Sequence, residues 1–339
     1  MGKATLLTVI LNYKTPEMTV RAASAALRAM QGVAGEILIV DNLSDDGSFQ
    51  VISDAIKAKG WHKSNRVRIV DAGRNGGFGA GNNFGIRTGL SDGTQPDYIY
   101  VLNSDAFPEK GAIAALLDGL ENDATLGMTG SRILGEDGVP HQTAFRFPTI
   151  ASEFEGAARF GPISRLFKNK TVPMPLPERA CLVDWVAGAS VMMRREMLDQ
   201  IGLFDENFFL YFEETELCLR VKRGGWKIKY LPESRVTHIG GVSTNGGKWH
   251  RIPEYWLDSR NYYFTKSHGN SYAMAATLAH LAGGLIWQSR RVLQGNPKID
   301  PDFFLRDLAR HSVLSLLALI TQNSRKTLRR QDNIKRRQA

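Results

Sequence analysis

Cysteine is scarce in this chain, and so is any long apolar run. Only Cys181 and Cys218 occur among 339 residues. Two cysteines cannot build a disulfide framework or a cysteine-based zinc site, and a reducing compartment is the natural reading. The longest apolar stretch, Tyr272–Trp287, is interrupted by His280 and ends at Ser289-Arg290-Arg291. A membrane-spanning helix needs about 20 apolar residues, so a spanning reading is weak. The opening MGKATLLTVILNY is too short in apolar residues for a signal peptide and reads as a first β-strand. Two familiar phosphate loops are missing as well. No Gly-Lys-Ser/Thr occurs, and Gly79-Ala80-Gly81 is followed by Asn82, Asn83 and Phe84, which breaks the dinucleotide fingerprint. No internal repeat is visible. Hydrophobic residues at 43% and charged residues at 23% exclude wholesale disorder.

The net charge of +9 is unevenly spread. Residues 289–339 carry 12 Lys/Arg against 4 Asp/Glu, which is +8 and leaves +1 for the first 288. The basic character therefore belongs to the tail. Basic tails bind anionic surfaces. Without the aromatic interleaving of a single-strand platform, this one suits lipid better than nucleic acid. Val313–Ile320 adds an apolar stretch flanked by Arg306, Arg310, Arg325, Lys326, Arg329 and Arg330, a pattern of interfacial helices. Two helices packed on a main domain, with a solvated tail, is the alternative.

Upstream, apolar β-branched runs alternate with helical patterns. Strands are expected at 5–12, 36–41, 67–70 and 98–102. Helices are expected after Pro16, near 48–59, and up to about Leu90 following a glycine-rich loop at 73–81. Such alternation argues for an α/β fold with a mostly parallel central sheet flanked by helices. Ligands bind such sheets beyond the carboxyl ends of the strands, where Asn12, Asp41 and Asp105 would converge. Six prolines within 135–180 suggest an excursion or lid. Regular pattern returns at 183–193, followed by a helix at 195–201 and then by the aromatic-acidic run 208–216 leading into another helix. A short strand at 226–230 precedes His238 in a glycine-containing loop.

Chemistry-bearing residues sit at these junctions. A carboxylate at Asp41 can accept hydrogen bonds from a nucleobase or ribose, although a capped turn is an equally ordinary use of the segment. Glycines 76, 77, 79 and 81 permit close backbone approach to a ligand, and the following helix start suits phosphate. Asp105 can hold a hard divalent ion. Glu213, Glu214 and Glu216 favour a helix start, and the Glu216/Arg220 pair is explained by helical spacing. His238 is either an ordinary histidine or a neutral metal ligand.

Taken together and in order, ILNYK (10–14), VDNLSDDGS (40–48), NGGFGAGNN (75–83), LNSDA (102–106), WVAGASVMMRR (185–195), FFLYFEETELCLRVKRGGWKI (208–228) and VTHIGGVS (236–243) resemble the inverting glycosyltransferases of family 2, which have the GT-A (nucleotide-diphospho-sugar transferase) fold. The NGGFGAGNN form is similar to the rhamnosyltransferase-like branch, and galactofuranosyltransferases are related. The resemblance covers roughly residues 5–265.

It implies that Asn12, Tyr13, Asp41, Asn42, Asn75, Gly76, Gly81, Asn82, Asn103 and Ser104 surround the nucleotide. It implies Mg²⁺ or Mn²⁺ at Asp105 and His238, with Asn103 replacing the first acid of the usual metal motif. Trp185, Gly188 and Glu213 would face the acceptor, and Glu214 would be the general base. The family normally has Asp at that last position, and Glu is one methylene longer. An offset of about 1 Å costs on the order of 100-fold unless the pocket is rebuilt, and a rebuilt pocket is expected.

The implied partners are a nucleotide-diphosphate sugar, dTDP-rhamnose above others, and a saccharide or polyprenyl-linked acceptor. An anionic membrane surface would meet the C-terminal region, and no nucleic acid is expected. The location implied is cytoplasmic, peripheral on the inner face of the cytoplasmic membrane. The expected organisation is a GT-A domain at 1–268, with a nucleotide half to about 130 and an acceptor half from about 131. A helical, basic, membrane-associating region would follow at 269–339.

Overall fold

The computed structural model describes residues 4–64, 66–240, 249–318 and 321. In chain order the elements are β1 (Thr5–Asn12), α1 (Pro16–Ala29), β2 (Ala34–Asp41), α2 (Ser48–Ala58), β3 (Val67–Asp71), α3 (Gly77–Thr88), β4 (Tyr98–Asn103), β5 (Ala106–Pro108), α4 (Ala112–Glu121), β6 (Leu126–Leu134) and β7 (Ala144–Phe145). Then come α5 (Ile150–Ala158), α6 (Gly161–Leu166), β8 (Cys181–Val183), β9 (Trp185–Val186), β10 (Ser190–Arg194), α7 (Arg195–Ile201), α8 (Glu213–Arg223), β11 (Lys227–His238), α9 (Glu254–His268) and α10 (Asn270–Gln294).

The chain divides into two compact units, Met1–Phe147 with Thr171–Lys248, and Pro148–Lys170 with Trp249–Ala339. The sequence reading drew its line after residue 268. The structural division differs because α9 packs with α10, and because α5, from the proline-rich excursion, packs along α10 and brings α6 with it.

The first unit is built on a nine-stranded sheet in the order β3-β2-β1-β4-β10-β6-β11-β5, with β8 paired to β11. β3, β2, β1 and β4 run parallel, β10 is antiparallel to both β4 and β6, and β6 and β11 are parallel again. β1 is buried almost throughout because helices cover both faces of the sheet. Leu6, Ile10, Ile37 and Tyr100 face the core shared with α1, α2 and α4. Leu7, Val9, Val40 and Val101 face the one shared with α3, α7 and α8. In register, Asn12 stands opposite Asp41, and Leu11 opposite Asn103. The polar strand ends therefore meet at one edge, as the alternation of elements implied.

A chain of buried hydroxyls crosses four strands. Tyr100 Oη lies 2.7 Å from Ser190 Oγ, Ser190 Oγ 2.6 Å from Ser131 Oγ, and Ser131 Oγ 2.7 Å from Ser234 Oγ.

Three local expectations change. The segment 73–81 is not a loop throughout, since α3 begins at Gly77. Glycine is a poor helix former, and this helix exists because its small residues let it lie close on the sheet. A Cβ on Gly81 would sit 2.4 Å from Leu11 Cδ1, and one on Gly85 2.7 Å from Val9 Cγ1. The regular pattern at 183–193 resolves into three short strands, and the excursion before it carries β7, paired with β9. The strand expected at 226–230 runs on for twelve residues, so His238 is the last residue of β11 rather than part of a loop.

The second unit is helical, with α5 packed along α10 and a further helix at residues 304–318. Its buried side chains include a charge cluster. Arg260 is 2% exposed, donates from Nη2 to Glu153 Oε2 at 2.6 Å and from Nη1 to Thr277 Oγ1 at 3.1 Å. His280 Nδ1 lies 2.7 Å from the same Glu153 oxygen. Burial pushes the Glu153 carboxyl up, but the Arg260 charge and the His280 contact outweigh it and hold it at about 2. Among the described residues no helix is long and apolar enough to cross a membrane. Ile320 and the tail cations Arg325, Lys326, Arg329 and Arg330 lie outside the described residues.

Candidate active site

The crevice at the strand ends is a hydrogen-bonded frame. Asn12 Nδ2 donates to Asp41 Oδ1 at 2.6 Å and to Ser44 Oγ at 3.0 Å. Ser44 donates its hydroxyl to Asp41 Oδ1 at 2.6 Å and its backbone N–H to Asp41 Oδ2 at 3.1 Å. Thr19 Oγ1 donates to Asn12 Oδ1 at 2.7 Å. Asp41 is thus braced from within by Asn12 and Ser44. Thr15 Oγ1 donates to Ser104 Oγ at 3.2 Å and joins this frame to the end of β4. Sequence reasoning gave Thr15, Thr19 and Ser44 no role. Their signal was a hydroxyl shortly after each polar strand end. Tyr13 is half-buried, with the Lys14 ammonium 5.3 Å from its ring centre.

Asn42 Nδ2 donates to Asn75 Oδ1 at 2.9 Å, which also accepts from the N–H of Gly77 at 3.1 Å. Asn75 therefore ties the end of β2 to the start of α3. That start is partly occupied already, because the N–H of Phe78 donates to the carbonyl of Phe209 at 3.0 Å. Gly77 has φ +84, and a Cβ there would lie 1.9 Å from the same carbonyl oxygen. Asn82 is buried and donates back to Phe78 O at 2.9 Å. A Cβ on Gly76 would meet that of Ala80 at 2.7 Å. Gly76 and Gly81 thus serve the packing of α3, whereas the buried Oδ1 of Asn82 has no partner among the described residues.

Beside the frame stand the groups expected at a metal. Asp105 Oδ1 and His238 Nε2 are 3.1 Å apart, and the Asn103 side-chain nitrogen lies 3.3 Å from His238 Nε2. The N–H of Gly240 donates to Asp105 Oδ2 at 3.1 Å. Burial raises the Asp105 carboxyl, but the hydrogen bond and charge of His238, with the backbone N–H groups of Asp105 and Gly240, bring it below its ordinary value. Among the described residues no group of three His, Cys, Asp or Glu side chains gathers as a metal cluster. The donor set is nonetheless a carboxylate, an imidazole and the Asn103 amide, whose buried Oδ1 has no partner among the described residues. It fits a hard divalent cation that takes its other ligands from phosphate oxygens. The VTHIGGVS segment passes outside the described residues after Gly240.

Glu213 and Glu214 open α8 directly after two backbone outliers, Tyr211 at φ 70 and Phe212 at φ 67. For bulky residues this left-handed region costs on the order of 1–3 kcal/mol each and persists only where the surroundings impose it. Glu213 is buried, and Oε2 of each glutamate is buried without a partner among the described residues. Burial raises both carboxyls, Glu213 further through the neighbouring Glu214 charge. One turn along, burial pushes Cys218 up to about 12. A Cβ on Gly188 would lie 3.5 Å from Phe78 and 3.8 Å from Glu214 Cβ, so Gly188 leaves room between them. The N–H of Asn103 donates to the carbonyl of Ala189 at 3.0 Å, which joins the glutamate side of the crevice to the Asn103-Ser104-Asp105 end of β4. Trp185 stacks on Phe145 at 4.0 Å and donates Nε1–H to Arg146 O at 2.9 Å, which secures β9 against β7. Glu216 holds Arg220 at 2.9 Å through both oxygens, the structural pairing expected.

A mixed, mostly parallel sheet flanked by helices, with its polar strand ends gathered in one crevice, is the architecture of a GT-A glycosyltransferase. The description "Glycosyl transferase family 2" matches residues 8–202, and the chain belongs to that family. It is 29% identical over 262 residues, 76% of this chain and 74% of the relative, to the low-salt glycan biosynthesis hexosyltransferase Agl10 of Haloferax volcanii. It is 28% identical over 221 residues, 61% of this chain and 67% of the relative, to an N-acetylglucosaminyl-diphospho-decaprenol L-rhamnosyltransferase of Mycobacterium tuberculosis. Among solved structures, GalNAc-T7 with UDP, GalNAc and Mn²⁺ superposes with a TM-score of 0.53 at 16% identity, over 91% of this chain and 57% of that one. The mannosyltransferase PcManGT of Pyrobaculum calidifontis, with GDP-Man and Mn²⁺, gives 0.53 at 13% identity, over 93% of this chain and 81% of that one. These two likenesses concern the fold.

Proposed function

We propose that the enzyme transfers a sugar, L-rhamnose from dTDP-rhamnose, with inversion, to a saccharide or polyprenyl-linked acceptor in bacterial cell-surface polysaccharide synthesis. One observation supports the mechanism: Glu214 keeps a buried, unpartnered oxygen, and it lies against Gly188, whose neighbour Ala189 is hydrogen-bonded to Asn103 beside the Asp105/His238 pair. Burial keeps its carboxyl above the ordinary value, which makes it a stronger base once ionised. Glu214 takes the proton of the acceptor hydroxyl while that oxygen bonds to the anomeric carbon. The bond from that carbon to the phosphate oxygen breaks, and its electron pair leaves with the nucleoside diphosphate. Asp105, His238 and the Asn103 amide would hold Mg²⁺ or Mn²⁺, whose contribution when bound is to neutralise charge on the leaving diphosphate. The Asn12–Asp41–Ser44 frame and the Asn42–Asn75 pair orient the nucleoside. Gly188 leaves space for the acceptor beside Glu214, and Glu213 keeps a second carboxyl next to the base.

The donor assignment is supported by relatives whose names specify rhamnosyl transfer, from Mycobacterium tuberculosis, Escherichia coli and Shigella flexneri. The acceptor class is supported by the diphospho-decaprenol in the first of those names. Melting the protein with dTDP, UDP or GDP, each with Mn²⁺ and with EDTA, tests the reading, because a ligand of the folded state raises Tm by mass action. A metal-dependent rise with dTDP is expected. A rise with UDP alone would move the donor to a UDP-galactofuranosyl or UDP-glucosyl type, and no rise with any nucleotide would favour a catalytically degraded binding protein.

The helical unit is the proposed contact with the inner face of the cytoplasmic membrane. Leu278, Leu285 and Val292 lie seven residues apart on α10 and are exposed, with Arg290 and Arg291 at its end. Salt-sensitive pelleting with anionic vesicles and no gel shift with DNA are expected.

A further inference from the structure

We propose that Asn83, acting with Glu206, is a positioning residue that clasps the 203–212 segment to α3 and so sets where Glu214 stands. This rests on the reading of Glu214 as the base. Asn83 is fully buried and grips one backbone unit at two points. Its Oδ1 accepts from the N–H of Phe204 at 3.0 Å, and its Nδ2 donates to the Phe204 carbonyl at 2.8 Å. The same Nδ2 lies 3.0 Å from Glu206 Oε1. Glu206 in turn receives Arg87 at 2.7 Å and Arg74 at 2.8 Å, from the two ends of the same glycine-rich stretch.

The segment is fixed twice more. Phe78 N–H holds the Phe209 carbonyl, and Phe78 and Phe204 meet edge to face at 6.0 Å. On the other side Arg220, paired to Glu216, donates to the carbonyls of Ile201, Gly202 and Leu203. Between these anchors run Tyr211 and Phe212 in left-handed conformation, and Glu214 follows two residues later. A strained pair of this kind relaxes if either anchor is released. Releasing α3 would swing the start of α8, and Glu214 with it, away from Gly188. The NGGFGAGNN stretch thereby acquires a purpose apart from phosphate. It is a helix thin enough to lie on the sheet, and it carries at its far side the amide that disciplines the base.

The test compares Asn83→Ala, Glu206→Ala, Glu206→Gln and Glu214→Gln. For Asn83→Ala, kcat is expected to fall about 30- to 100-fold, the loss an offset of about 1 Å produces. Donor KM should stay within about twofold, and amide hydrogen exchange over 204–216 should quicken. Glu206→Ala should lose about 3- to 10-fold in kcat, and Glu206→Gln, which keeps an oxygen for Asn83, should recover most of it. Wild-type kcat in folded Asn83→Ala, or exchange unchanged over 204–216, overturns the clasp. If Asn83→Ala does not fold, the Glu206 pair decides alone: equal kcat in Ala, Gln and wild type overturns it. Wild-type turnover in Glu214→Gln removes the base assignment instead, while the exchange measurement still reads the clasp.

Discussion

The crevice and the helical unit both bury charged and amide groups, and they treat them differently. In the helical unit the Glu153 carboxylate is met by a guanidinium and an imidazole, and Arg260 has a hydroxyl besides. In the crevice, Asn42, Asn103, Glu213 and Glu214 each keep a buried oxygen with no partner among the described residues. An unmade hydrogen bond on a buried oxygen costs on the order of 1–3 kcal/mol. A protein tolerates several together where a ligand will complete them. The satisfied cluster holds helices together, and the unsatisfied one is where the proposed chemistry falls.

Replacing Glu214 by Gln should break the comparison most severely on the side of activity. Transfer should fall by about 10²- to 10⁴-fold, the usual worth of a general base, while Tm holds or rises because a buried carboxylate is gone. Product formation by mass spectrometry beside a melting curve checks both halves, and near wild-type transfer would sink the assignment. Arg260→Ala should do the reverse. Glu153 would lose its principal partner inside the helical unit, at a cost of about 3–5 kcal/mol read by urea unfolding.

pH separates the two regions further. The Glu214 carboxyl is raised, so its proton persists to higher pH and the base is lost earlier on acidification. The acid limb of kcat/KM is therefore expected above the ordinary glutamate value of 4.5. Glu153 is depressed to about 2 from 4.5, so its stabilisation is complete above 4.5 and drains away as pH falls toward 2. Circular dichroism through that window should show helix loss. The smallest effect belongs to Gly81→Ala, whose Cβ presses on the methyls of Leu11 and reaches 3.2 Å from Asn42 Oδ1, and which should cost about 1 kcal/mol. Nucleotide-induced stabilisation should survive it, since the main clash is with Leu11, and Asn42 Oδ1 need give only a few tenths of an ångström. Loss of that stabilisation would return Gly81 to the ligand.

Much of this was legible beforehand because strands announce themselves by what they end on. Asn12, Asp41 and Asp105 were readable as a converging set, since a parallel sheet delivers successive strand ends to one edge. The pairing of Glu216 with Arg220 followed from helical spacing alone. The helix ending near Leu90 is legible, but its first turn at 77–81 reads as loop because propensity speaks against glycine, and the facing side chains that make it stable come from β1 and β2. The length of β11 was hidden by Pro232 and Glu233, and its pairing slips register between Leu231 and Arg235. The helices at 148–170 join the C-terminal ones through packing that no local pattern encodes. Asn83 offered no signal by itself, because its partners stand more than a hundred residues away.

The hydroxyls of Tyr100, Ser190, Ser131 and Ser234 give the sheet a means of error correction during assembly. A one-residue slip of β10 would turn Ser190 to the opposite face. Tyr100 would then lose its partner inside the core, while Ser131 would keep only Ser234. At about 1–3 kcal/mol for each stranded group, the shifted pairing is penalised at the strand that switches direction. Two hydrophobic faces alone would leave several alignments of β4, β10 and β6 nearly equivalent. Four oxygens in a row make one of them the address at which the Asn103–Asp105 end of β4 and the Gly188–Ala189 entry to β10 come into line.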